Sequence, residues 1–140
     1  MSNPVPMSVT LGIFLIFTIA NDGRSGTQPN DRLATGVWGG EHIRAEVTGS
    51  GADIEFDCAH GSIGQAIVLD AKGGFDVNGK YEAQHGGPIR DDEDNSLTVR
   101  YVGHVKGRKL SLTITNLNSN EAIGHYTLTH GSDGVVRKCR

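Results

Sequence analysis

The chain has 140 residues, a formal net charge of −3 and a pI near 6.0. That length predicts one domain. Arg44, Lys80, Arg100, Lys106, Arg108, Lys109, Arg137 and Lys138 are scattered rather than gathered into a basic stripe, which excludes a nucleic-acid reader.

The first twenty residues stand apart. Residues 9–20, VTLGIFLIFTIA, form an apolar run too short to span a bilayer, which takes about 20 residues. The run fits the apolar core of a secretory signal, with a small-residue cleavage site at Thr18-Ile19-Ala20. The preceding MSNPVPMS carries no Lys or Arg, so only the amino terminus supplies positive charge. Residues 1–20 are therefore read as a signal peptide. The mature chain is expected to be secreted or periplasmic, with no transmembrane segment. Residues 21–32, NDGRSGTQPNDR, have no apolar period, and 21–33 read as a disordered leader.

From Ala34 to Arg140 the pattern is uniform. Short runs alternate apolar with polar residues, and no window shows the 3.6-residue spacing of an amphipathic helix. Eight runs follow in order, at 36–48, 52–58, 62–70, 74–85, 97–105, 109–116, 122–130 and 134–139. Most joints are short: GSG, AHG, AKGG, KG, LNSN and GSDG. Joints of that length link antiparallel neighbours. Only 86–96, GGPIRDDEDNS, is long. Closing an eight-stranded meander removes both sheet edges. The expected fold is all-β, an eight-stranded antiparallel meander barrel, with a β-sandwich as its rival. The alternating Ile, Leu, Phe and Tyr fill so narrow a barrel, which argues against a carrier of bulky lipophilic ligands.

A meander also assigns loops to ends. On this strand count residues 36–42, 58–61, 85–95 and 117–120 and the carboxyl terminus share one end. The two cysteines, Cys58 and Cys139, close strands two and eight there. In an exported chain they pair; in a reducing cytosol they would be two unrelated thiols. The bridge is expected beside Trp38, which would plug that end among its neighbouring glycines. The chain-entropy model gives it about 4 kcal/mol.

Gly36-Val37-Trp38 resembles the G-x-W that opens the first strand of calycin barrels: lipocalins, avidins and small bacterial metalloprotease inhibitors. In those families a basic residue of the last strand lies across the Trp, and the resemblance gives that place to Arg137, with Lys138 and Arg140 as alternatives. The lipocalin T-D-x signature is absent from TNLNSNEA, and so is the biotin-contacting pattern of avidins. The resemblance therefore implies a fold and extracellular binding, not a ligand. The set WGGEHI…FDCAHG…HGGP also resembles an uncharacterised group of exported bacterial domains.

His42, His60 and His85 fall at the expected Trp38 end. Three imidazoles on separate loops can hold Zn²⁺, with water or Asp57 as fourth ligand. Their spacing matches no short metal motif, and each can equally hydrogen-bond loop backbone, so no cofactor is required. Glu55 and Asp57 share a strand face, the solvated side of Ile54 and Phe56. Asp91, Asp92, Glu93 and Asp94 match no calcium loop, and no serine lies in a G-x-S-x-G context. The leading expectation is an exported, non-enzymatic binding module. It would engage a small ligand or extracellular protein through Trp38, His42, His60, His85 and Arg137. Two alternatives remain open: a proteinase inhibitor of the small calycin type, using the leader, and a metal-dependent hydrolase using the three histidines.

Overall fold

A computed structural model describes residues 31–84 and 96–139, together with Ser2, Pro4 and Gly12. It shows eight antiparallel strands in a closed barrel whose spatial order is their chain order. They are β1 Gly36–Gly40, β2 Ile43–Thr48, β3 Gly51–Phe56, β4 Ala59–Ile63, β5 Gly74–Ala83, β6 Ser96–Lys106, β7 Lys109–Asn116 and β8 Ala122–His130. The described residues include no helix, and none that is long and apolar enough to cross a membrane.

Period-two alternation selects the face of each strand. Ile43, Ala45 and Val47 of β2 are buried, as are Leu110, Leu112 and Ile114 of β7. The ladders carry this register laterally. Trp38 pairs with Ala45, Ala45 with Ile54, Ile54 with Gly61, Gly61 with Tyr81, and Tyr81 with Leu97. Bulky and small residues therefore mix around one girdle, so a narrow barrel can fill without overpacking. Tyr101 lies across the interior, its hydroxyl donating to the Lys80 carbonyl at 2.6 Å. A Cβ at Gly61 would strike its hydroxyl, and one at Gly79 its ring. Among the described residues, nineteen buried apolar side chains make one continuous core.

The strand count agrees with the alternation, but two boundaries differ. The run 36–48 breaks at Glu41-His42, where His42 takes φ 67°, a left-handed conformation that closes a two-residue turn. The run 134–139 is no strand of the barrel. One strand is gained and one lost, and the total stays even. The run 62–70 is also shorter than its pattern suggests. β4 ends at Ile63, and residues 64–70 cross the barrel mouth, inserting Ile67 into the core.

Splitting the first run reverses β1. Gly36 therefore starts at the rim that carries the β2–β3 and β6–β7 turns. Residues 31–35 cross this leader rim: the Leu33 amide donates to Ile67 and the Leu69 amide to Asp31. Leu33 is buried there, so packing begins before Ala34. The opposite rim carries the β1–β2, β3–β4 and β7–β8 turns.

The last segment, residues 131–139, is a strap along the outside of β1, from the leader rim to the opposite one. The Gly131 amide donates to Val37, the Val135 amide to Gly40 and the His42 amide to Val135. The strap ends in a Cys58–Cys139 disulfide with Cα atoms 4.8 Å apart, a normal span. Cys58 sits in the β3–β4 turn, so this is the disulfide rim.

Two stability predictions follow from the strap. A Cβ on Gly39 would run into the backbone of Ser132, Asp133 and Gly134, whereas one on Gly49 meets nothing within 4 Å. Gly39→Ala should cost about 1–3 kcal/mol by overpacking, and Gly49→Ala should stay within about 0.5 kcal/mol; urea unfolding reads both. Equal effects of the two would remove the strap from the packing. The Cys58→Ser/Cys139→Ser double variant should lose about 2–5 kcal/mol, measured by the same unfolding curves under oxidising conditions. A double variant as stable as the parent would mean that the bond constrains nothing.

Candidate functional site

The barrel ends differ in chemistry, and the sequence-predicted residues divide between them. Trp38 does not lie beside the disulfide. Its indole Nε1 donates to the Ala34 carbonyl at 2.8 Å, at the leader rim. Its ring stacks on His130, the last residue of β8, with centroids 4.7 Å apart. The basic residue of the last strand that meets Trp38 is thus His130, not Arg137. The reason is the split first run, which turns β1 end for end relative to the sequence reading.

Arg137 is at the disulfide rim. Its amide donates to Asp57 Oδ1 at 2.7 Å, and the Cys58 amide donates to the Arg137 carbonyl at 3.3 Å. Asp57 Oδ2 meets His42 Nδ1 at 2.5 Å. One carboxylate therefore joins the β1–β2 turn, the β3–β4 turn and the strap. The Arg137 amide is the main cause holding the Asp57 carboxyl below its usual 3.8; the His42 hydrogen bond and charge add to it, against some desolvation. His60 is exposed on the outer face of β4, in register with Glu55 and Glu82. His85 lies outside the described residues. Among the described residues no three His, Cys, Asp or Glu side chains come together as a metal site.

Inside the disulfide rim, Phe56 packs against Tyr81 and Tyr126, each with centroids 5.2 Å from it. Burial raises both phenol pKa values. Both hydroxyls thus stay protonated near neutral pH and offer no phenolate for chemistry.

The leader rim holds a half-open cleft of about 580 Å³. Its apolar floor is Leu33, Trp38, Leu69 and Val105, with Arg32 and His130 at its sides and Gly49 and Gly107 from two turns at its edge. The imidazole Nε2 of His130 lies 3.0 Å from the Thr35 carbonyl, the geometry of a donated hydrogen bond. Arg32 Nη1 reaches the Gly49 carbonyl at 3.4 Å. Asp31, Arg32 and Leu33, the end of the sequence-predicted leader, are thus bound to the barrel.

Sequence reasoning missed His130, Arg32, Leu69 and Val105. For His130 a signal was present: it shares parity with Leu128, which points inward. Val105 likewise shares parity with the inward Val99 and Tyr101; Arg32 and Leu69 depend on how residues 31–35 and 64–70 cross the mouth, which alternation does not encode.

Comparison with family profiles, curated proteins and solved structures finds no match. The class that can be stated is that of the fold: a closed, eight-stranded antiparallel meander barrel, with its carboxyl-terminal strap fixed by a disulfide.

The Asp57 junction gives a pH prediction. A carboxyl with a lowered folded pKa adds stability in full above its unfolded value, and that stability is lost as pH falls through the folded value. Unfolding midpoints of the parent should therefore drop steeply below about pH 4. Asp57→Asn should flatten part of that drop and leave the rest, because Asp70 and Asp76 are lowered as well. Superimposable acid profiles would show that Asp57 does not hold the rim.

Proposed function

We propose that this protein is a non-enzymatic binding module that takes a small ligand in the cleft over Trp38. The cleft itself carries the reading. Its volume falls within the range of small-molecule sites, roughly 300–1,000 Å³, and it joins an apolar floor to a few polar groups. The filled interior supports a rim site rather than a central one. The likeness to calycin barrels belongs to this reading, supported by G-x-W on β1 and by a basic residue of β8 stacked on the Trp. An oxidising location, secreted or periplasmic, belongs to it too, supported by the Cys58–Cys139 bond.

Trp38 is the only tryptophan, so its emission reports on the cleft. A panel of small acids, sugars and peptides should contain ligands that shift that emission saturably. Gly49→Phe places a ring at the cleft edge where a Cβ meets no neighbour. It should abolish those shifts while changing stability by no more than about 0.5 kcal/mol. A panel without any saturable shift, or a ligand indifferent to Gly49→Phe, overturns the reading.

A further inference from the structure

Resting on the cleft reading, we infer that the ligand is a small organic anion, an apolar body with a single carboxylate-like head. The chain as a whole is acidic, with 16 carboxylate side chains against 13 Lys and Arg. The described lining departs from that balance: its ionisable side chains are Arg32 and His130, and none is a carboxylate.

The surroundings reinforce the bias. Gly107 lines the cleft from the β6–β7 turn, which it forms with Arg108 between the strand ends Lys106 and Lys109. Arg108 Nη2 donates to the His130 carbonyl at 2.7 Å, which holds a guanidinium beside the cleft wall. Of the carboxylates near this rim, Asp70 keeps its charge but is turned to the amides of Lys72 and Gly74, both at 2.8 Å, and is not among the lining residues. Asp31 and Asp133 are not among the lining residues. Arg32 in the lining and the cations flanking it therefore favour an anion over a neutral or cationic analogue of the same shape.

The two halves of the site define the ligand together. Leu33, Leu69 and Val105 ask for an apolar body, which excludes bare inorganic anions and sugars. Arg32, exposed at the edge, presents a fork of donors that a carboxylate matches in two contacts. The volume sets the size at one ring or a short chain, not a long lipid.

A matched trio separates head from body: phenylbutyrate, phenylbutanol and phenylbutylamine, titrated against Trp38 emission of the full chain. Phenylbutyrate should bind about tenfold or more tightly than the alcohol, and the amine weakest. Raising salt from about 0.02 M to about 0.5 M should weaken the acid and leave the alcohol unchanged. Arg32→Gln should bring the acid down to the alcohol's affinity, and Arg32→Lys should restore part of it. Unaltered emission of the unliganded variants shows that residues 31–35 stay docked. Equal binding of acid and alcohol overturns the anion assignment and leaves the cleft reading intact. If no member of the trio binds while another panel ligand is blocked by Gly49→Phe, the class is overturned and the cleft stands. If no ligand shifts Trp38, both fall.

Discussion

The structure depends on closing the seam between β1 and β8. β1 is five residues long and shares five paired positions with β2, but only two with β8: Trp38 with His130 and Gly39 with Thr129. Two pairs are a weak hinge for a barrel, and an open seam would leave unpaired amides and carbonyls on both strands. The strap makes up the shortfall. Its amides and carbonyls continue the ladder past the point where β8 leaves β1, and an Asp57 carboxylate and a disulfide fix its far end. The glycines of the first strand belong to this solution. Gly39 leaves room for the strap's backbone on the face opposite Trp38, and Gly40 for the backbone of Thr127 in β8, so the lone tryptophan sits beside residues without side chains because backbone passes close to both.

Closure in turn decides where binding can occur. The core packs Trp38, Tyr101, Phe56 and Phe75 into a barrel whose diameter eight strands limit. The interior has been spent on stability, so concave space arises where chain crosses a mouth. Residues 31–35 and 64–70 cross the leader rim side by side, and between them and the turns at Gly49 and Gly107 the cleft forms.

Much of the barrel was legible because alternation is a local, period-two signal that residues such as Ile43, Ala45 and Val47 carry openly. Antiparallel order came from it; the strand total held at eight because one gained strand offset one lost, and the cysteine pairing rested on the expected export. Its failures are as specific. Alternation is blind to a turn made by Glu41-His42, where a left-handed histidine replaces the usual Asn or Gly. That one turn inverted β1 and separated Trp38 from Cys58, His42 and Arg137. The segments 64–70 and 134–139 have strand-like composition, yet one is a mouth crossing and the other a strap. Their conformations are set by partners distant in sequence, Asp31 and Leu33 for the first, Gly40, Asp57 and Cys58 for the second.

The two rims are linked through β1. Trp38 reaches residues 34–35 at one end directly and through the stacked His130, while Gly39, Gly40 and His42 hold the strap at the other. Anything that loosens the strap frees the half of β1 that β8 does not pair, and the same short strand positions the cleft's indole. Redox state and acidity act on the strap through Cys58–Cys139 and Asp57. Ligand contact acts on Trp38. Both sets of forces meet on a strand of five residues, too short to bend in the middle and too weakly paired with β8 to be held by that ladder alone. The shape of the cleft therefore follows from the position of β1 as a unit, which the strap and the buried Trp38 set between them.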